Sequence, residues 1–409
     1  MSSTLDDPAV LEKSRGRAPR PPVEEQLGRL ERARAAMDAH ELDGLLVWGS
    51  ASANSDPIRF LSGYLHVFPG ASSLLLVPRE RDPVLLVDQP WHLEEARRMS
   101  WIEDVRPYPN PGRRWLADEL RKAIRDAVGA AGLTAGRIGV FAGEMPAIYA
   151  EILAGSLADA TFGDAVPVWE DIVSGPSDYD AGRIRQTAAV ADAGLAGAVE
   201  AAGEGVPEYE FCLHSLERMA AAGAEFLHGS GMTTHINTGS FSDVISNVRP
   251  YLYSQRPLEA GQMFWLDLSA CFEGYYTDTD RTISVGEPSP KQREIYDVTA
   301  EMYRVMLAEA RAGISGGDLW EAANRVAEDA GYGDYSNHVY LGHTTGITTS
   351  VRPVVARGET AELRPGSFLN VEPGIFVPGV GSACIENTLH ITEGGASPIN
   401  EFGIDIHVV

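Results

Sequence analysis

The stretch Gly261–Glu287, GQMFWLDLSACFEGYYTDTDRTISVGE, constrains this chain more than any other. Met263 to Ala270 is apolar-rich, Glu273-Gly274 has the composition of a turn, and Tyr275 to Val285 is rich in Tyr and Thr. That pattern predicts a β-hairpin. The hairpin carries Asp267 and Asp278, eleven positions apart. Two carboxylates on adjacent antiparallel strands, their register set by the turn, can point at one spot. Buried like charges at that separation repel, so they need a shared proton or a cation between them. The plainer alternative leaves Asp267 exposed at a strand end and uses Asp278 to tie down a turn.

Three downstream segments bear on that choice. Gly342-His343 opens a Thr-rich loop, Val371-Glu372-Pro373-Gly374 follows an apolar strand, and Ile385-Glu386-Asn387 sits inside another. Two Asp, two Glu and one His form an oxygen-rich donor set with a single imidazole. Such a set suits Mn, Co, Fe or Zn and argues against a soft thiolate site.

Composition narrows the class. The 409 residues suggest two or three domains with ample core. A net charge of −25 makes nucleic acid and anionic membrane surfaces unsuitable partners. Cys212, Cys271 and Cys384 are widely spaced with no CxxC, which fits a reducing compartment rather than a disulfide framework. The start, MSSTLDDPAV, lacks a basic-then-apolar signal pattern, and no apolar run reaches eighteen residues. The expectation is a soluble, cytoplasmic protein with no membrane and no nucleic-acid partner.

Along the chain, residues 1–22 read as a polar tail ending in Pro21-Pro22. A helix up to about Ala39 follows, then a continuous apolar strand from Leu42 to Trp48, as in a sheet covered on both faces. A short helical turn over Ile58–Tyr64, strands over Ser72–Val77 and Val84–Val87, helices over Leu93–Met99 and Trp115–Val128, and a strand over Arg137–Phe141 continue an αβ alternation. Ser174-Gly175-Pro176-Ser177 is the best linker, dividing 23–173 from 178–409. Beyond it, helices over Arg183–Ala202 and Pro207–Ala222 precede the Asp hairpin. Helices over Pro290–Ala312 and Gly316–Ala330 precede Val- and Ile-rich strands. Helix-helix-strands occurs twice, suggesting two similar halves around one site.

The motifs DLSACFEGYYTDTDRT, GHTTG, NVEPGIF and IENTLHIT, in that order, resemble the M24 metallopeptidase family of methionine aminopeptidase, aminopeptidase P, prolidase and creatinase. The resemblance implies an α/β (α+β) chain: a creatinase-like N-terminal domain over 23–173, then a C-terminal "pita-bread" catalytic domain over 178–409. It implies two divalent metal ions, about 3.5–4 Å apart and sharing a water. Asp267 would hold one ion, Asp278 and Glu386 would bridge both, and His343 and Glu372 would complete the second, with Glu372 as the catalytic proton acceptor. It also implies a homodimer in which the N-terminal domain of one subunit walls the neighbour's active site, with Phe60, Tyr64, Phe68 and Trp91 as candidate wall residues.

Three positions depart from the peptidase pattern. Such peptidases usually have a histidine seventeen residues before the first metal Asp, where this chain has Pro250 beside Arg249. They have another seven residues after the metal His, where this chain has Ser350. Prolidase-like members commonly have Arg two before the last Glu, where this chain has Cys384. Arg would suit a substrate carboxylate. Candidate substrate contacts are therefore Arg249, His235, Ser350, Arg352 and Cys384, with His338 a further acid–base candidate. The leading expectation is metal-dependent hydrolysis of a C–N bond in a short peptide or small amide, with proline peptidase activity in doubt. The runner-up is a metal-dependent lyase or biosynthetic enzyme acting on a small carboxylate, as dimethylsulfoniopropionate lyases use this fold. A non-catalytic binding protein is a third reading, disfavoured by the intact ligand positions.

Overall fold

The computed structural model describes residues 21–409 apart from 52, 54, 67–70, 89, 110–116, 144, 226–234, 240–254 and 337–339. It divides into two compact units, Met1–Val168 and Trp169–Val409.

The first unit is built on a mixed six-stranded sheet, in the order β4-β3-β2-β1-β5-β6. Its strands are β1 (Gly44–Ser50), β2 (Ser72–Pro78), β3 (Val84–Asp88), β4 (Asp104–Tyr108), β5 (Arg137–Val140) and β6 (Thr161–Asp164). Every residue of β1, β2 and β3 is buried, as their unbroken apolar runs require of central strands. Leu46, Leu74, Leu76 and Leu86 pack with Leu120, Ile124 and Val128 of the helix Ala117–Ala131. Phe60 is 5% exposed and Tyr64 1% exposed, so neither is available to wall a neighbouring subunit. The Arg29 guanidinium lies 4.2 Å from the Phe60 ring centre, which anchors that ring inside its own unit. Trp91 lies in the helix Pro90–Met99, and Phe68 is outside the described residues.

The second unit opens with helices Asp178–Ala201 and Glu208–Ala222, packed on each other. The first is set by a capping box, with Ser177 accepting from the Asp180 amide and the Asp180 carboxylate accepting from the Ser177 amide. This pair buries Val190, Leu195, Phe211 and Met219 against Leu266, Leu268 and Ile283 of a four-stranded sheet ordered β17-β9-β8-β7. Those strands are β7 (His235–Gly239), β8 (Met263–Phe272), β9 (Tyr275–Ser284) and β17 (His407–Val408). A second helix pair, Pro290–Glu309 and Gly316–Asp329, repeats the scheme. Ser289 and Gln292 form its capping box, with Pro290 in the first turn.

Ile295, Met302, Met306, Leu319 and Ala323 of this pair share a core with Leu369, Val371, Leu389 and Ile391. The sheet they cover is ordered β11-β10-β12-β15-β16. Its strands are β10 (Tyr340–Thr345), β11 (Val351–Ala356), β12 (Phe368–Val371), β15 (Asn387–Thr392) and β16 (Gly395–Pro398). A short hairpin of β13 (Gly374–Val377) and β14 (Gly381–Cys384) joins the two halves of that sheet in sequence. Two helix pairs, each covering a sheet, match the doubling read from the sequence.

Candidate metal centre

The hairpin β8–β9 turns through Glu273 and Gly274, both at positive φ (52° and 82°). That is the two-residue turn whose twist suits antiparallel strands. Its register sets Asp280 directly opposite Asp267, and Asp278 opposite Ser269. Side chains alternate along a strand, so Asp267, Ser269, Asp278 and Asp280 share one face. Asp278 is 9% exposed and Asp280 3% exposed.

Three other segments lie near this face; two of them, through His343 and Glu386, bring a ligand atom within 4.8 Å of its carboxylates, and Glu372, on the third, is in neither group. β10 is bulged, with register shifts on both sides of His343 in its pairing with β11, a device that re-aims a side chain. Gly342 has φ 150°, and a Cβ there would stand 2.1 Å from the Asn370 carbonyl oxygen. Only glycine lets β12 approach so closely. The His343 ring stacks on Tyr340 at 5.8 Å, with Nδ1 3.3 Å from the Thr344 carbonyl and Nε2 3.4 Å from the Asn370 amide nitrogen. Glu372 leaves β12, its amide donating to the Leu341 carbonyl at 2.9 Å. Glu386, 2% exposed, lies between β14 and β15, and its amide donates to the Asp280 carbonyl at 3.1 Å.

Arg281 fastens this junction. Fully buried, it donates from Nε to the Gly403 carbonyl (2.8 Å) and from Nη1 to the Asp280 (2.7 Å) and Glu386 (2.6 Å) carbonyls. Its Nη2 reaches Asn387 Oδ1 (2.9 Å) and the Phe402 carbonyl (2.7 Å). One guanidinium thus ties β9, the Glu386 segment and the C-terminal strand approach together through charge-assisted bonds.

Two donor clusters result. Ligand atoms of Asp278, His343 and Glu386 lie within 4.8 Å of one another, as do those of Asp267, Asp280 and Glu386. Glu386 is common to both. Burial first, then the Asp267 charge, raises the Asp278 and Asp280 carboxyls well above the ordinary range. Burial and the Asp278 charge do the same to Glu386, and burial and Asp267 lift Glu372 to about 8. Burial lowers His343 to about 4, leaving a neutral imidazole with a lone pair to offer at neutral pH. Asp278 Oδ1, Asp280 Oδ1 and Glu386 Oε1 are buried with no hydrogen-bond partner. Buried acceptors are ordinarily paired, and three bare carboxylate oxygens beside a neutral imidazole are what a cation would complete. The residues therefore fit the divalent ions that the motif pattern implies, with oxygen-rich coordination suited to Mn, Co, Fe or Zn.

The remaining candidate residues are more scattered. Cys384 is 3% exposed and its thiol donates to Asp280 Oδ2 at 3.0 Å. Ser350 is exposed, its hydroxyl 3.4 Å from the Tyr340 hydroxyl. Arg352 is exposed and makes a two-pronged pair with Glu359 (2.8 and 2.5 Å), which engages it outside the carboxylate cluster. His235 begins β7, in register with Ser269. Arg249, Pro250 and His338 lie outside the described residues. Three residues were not singled out from sequence: Asp280, Arg281 and Tyr340. Asp280 had a readable signal, since it stands two positions from Asp278 and must share its face. Tyr340 had none, because the bulge at His343 breaks the alternation that would have paired them.

Comparison with known proteins bears on the whole chain. The family model for "Metallopeptidase family M24" matches residues 182–393, and that for "Creatinase/Prolidase N-terminal domain" matches residues 29–172. An Xaa-Pro dipeptidase of Pyrococcus horikoshii is 32% identical over 218 residues, 53% of this chain and 60% of that protein. The match to an Xaa-Pro dipeptidase of Pyrococcus furiosus likewise spans 60% of its length. One from Lactobacillus helveticus is 25% identical over 379 residues, covering 90% of this chain and 98% of the relative. The solved structure of the prolidase from Pyrococcus horikoshii OT3 superposes with a TM-score of 0.76 at 26% identity, covering 93% of this chain and 99% of that one.

Proposed function

The chain belongs to metallopeptidase family M24, and from that premise we propose that it is a metal-dependent hydrolase cleaving a C–N bond in a dipeptide-like or small amide substrate. The observation that carries this reading is the pair of donor clusters sharing Glu386. Asp278, His343, Glu386, Asp267 and Glu372 would hold two divalent ions. Ions so held would supply Lewis acidity and a water-derived nucleophile at neutral pH.

The chain's own groups do the rest. Glu372, ionised when it helps hold an ion, is the general base of this proposal. Asn370 orders the imidazole edge of His343, and its own Oδ1 accepts from Thr388 Oγ1 at 2.7 Å, which fixes the amide's orientation. The Tyr340 hydroxyl, 3.4 Å from the Ser350 hydroxyl, stays protonated, because burial and the nearby carboxylates raise it. The protein acts as a homodimer in this proposal.

Relatives named Xaa-Pro dipeptidase suggest a dipeptide. The thiol at Cys384 and the Arg352–Glu359 pair give no cationic anchor for a substrate carboxylate at those positions. The expected outcome is weak turnover of Xaa-Pro dipeptides by Mn- or Co-loaded protein, and stronger hydrolysis of another small amide. The test is an assay of both metal forms on a panel of Xaa-Pro dipeptides, other dipeptides and small amides, with release of the amine measured. Turnover of Xaa-Pro dipeptides near the general enzyme median of about 10 s⁻¹ would overturn the substrate argument. Consumption of a small carboxylate by elimination, without hydrolysis of any amide, would favour lyase chemistry and overturn the hydrolase reading.

A further inference from the structure

We propose that Asp280 is itself a metal ligand, completing the ion position formed with Asp267 and Glu386, and that Cys384 is the positioning residue that holds it there. The proposal rests on the two-ion reading above and adds a sixth protein donor to it. Four observations converge on Asp280. It is the direct cross-strand partner of Asp267, so the two carboxylates rise from opposed backbone positions on the same face. Its ligand atom lies within 4.8 Å of those of Asp267 and Glu386. It is 3% exposed, and its Oδ1 has no hydrogen-bond partner. Its backbone is immobilised, the carbonyl accepting from both Arg281 Nη1 (2.7 Å) and the Glu386 amide (3.1 Å).

The two carboxylate oxygens of Asp280 then have different tasks. Oδ2 accepts from the Cys384 thiol at 3.0 Å. Holding one oxygen with a donor fixes the carboxylate's rotation and leaves the other to face its cluster partners, as hydrogen-bonded outer groups commonly orient ligating carboxylates. A thiol suits that place because it is small and a weak donor, and it brings no positive charge to compete with a cation. Cys384 is 3% exposed and Cys384 and Asp280 lie on β14 and β9, elements that also meet through Thr282 Oγ1 and the Cys384 backbone (2.9 and 3.1 Å). With Asp280 included, five carboxylates face the four positive charges of two divalent ions. The site should therefore hold its ions tightly and favour hard cations.

The experiment measures binding rather than turnover. Mn(II) and Zn(II) affinities and stoichiometries are measured by competition against a metal-indicator dye for wild type, Asp280→Ala, Asp280→Asn, Cys384→Ser and Cys384→Ala. Thermal unfolding of each variant reports folding. The expected result for both Asp280 variants is an affinity weaker by about 100-fold or more at one of the two ion positions, beyond the roughly 10–100-fold typical of losing an outer supporting group, with the other ion kept. Cys384→Ser, which retains a donor, should bind nearly as wild type, and Cys384→Ala should fall between. Folded Asp280 variants with unchanged affinity at both positions would overturn the proposal. If those variants do not fold, a zinc-soaked wild-type crystal decides. An anomalous peak within about 2.0–2.2 Å of Asp280 Oδ1 supports ligation. Ions seated beyond reach of Asp280 overturn it. A sulfur-to-cobalt charge-transfer band in the Co(II) form, lost in Cys384→Ser, would make Cys384 a ligand and overturn its positioning role. Wild type that binds no ion at all would instead remove the two-ion reading on which this one stands.

Discussion

Stripping divalent ions should make the protein's stability fall as pH rises, over a window that can be worked from the site. Glu372 has an ordinary value of 4.5 and is lifted to about 8 in the fold by burial and by Asp267. The folded state then holds a proton that the unfolded chain has released. That contribution is fully present below 4.5 and is lost as pH rises through about 8. The whole shift corresponds to ~5 kcal/mol at about 1.36 kcal/mol per unit. His343 works in the opposite sense, because burial lowers it from 6.5 to about 4, so its penalty disappears as pH rises to 6.5. The clean window therefore begins at 6.5. From there to about 8, Glu372 alone should remove ~2 kcal/mol. Asp278, Asp280 and Glu386, raised by burial and mutual repulsion, act in the same direction. At roughly 2–4 °C per kcal/mol for a unit of this size, Tm should drop roughly 4–8 °C or more between pH 6.5 and 8.5. The assay is thermal unfolding followed by circular dichroism, in chelator and in excess Mn(II), with Glu372→Gln as control. Mn(II) should abolish the fall, since ions bind the deprotonated carboxylates, and Glu372→Gln should lessen it in chelator. A flat or rising Tm in chelator across that window would refute the picture of carboxylates crowded in a poorly solvated site.

Other consequences are more local. Arg281→Leu strands several buried carbonyls that the guanidinium now satisfies and should cost about 3–5 kcal/mol in thermal or urea unfolding. A loss below about 1 kcal/mol would show that the junction does not depend on it. Light scattering at micromolar concentration should return the mass of a dimer, and a lone monomer would end the homodimer proposal.

Much of the site was legible because it obeys short-range rules. The hairpin could be read from its strand composition and from Glu273-Gly274, and the two helix pairs from their Ala-rich or apolar-periodic sequence, whereas the Ser177 cap lay in the stretch read as a linker. What escaped reading was decided by distant partners. β4 and β6 are the two edges of the first sheet, short, with Pro107 inside one and little burial in the other, so neither carries an apolar run. Asp280 was hidden in plain view. The spacing of Asp267 and Asp278 drew attention, whereas the register makes Asp280 the residue opposite Asp267. Arg281 reads as a surface charge until the C-terminal segment and Glu386 wrap it. The aim of His343 depends on a bulge and on the close approach of β12 at Gly342, of which only the glycine was visible.

The two-ion centre is tested most directly by counting metal in protein purified without chelator and reloaded with Mn(II) or Co(II), for wild type, Asp278→Ala and Glu386→Ala. Wild type should carry about two ions per protomer. Asp278→Ala should weaken the position it shares with His343, and Glu386→Ala, whose side chain belongs to both clusters, should lose occupancy at both. Wild type with no bound metal, or a Glu386→Ala variant that keeps both ions at wild-type affinity, would contradict it.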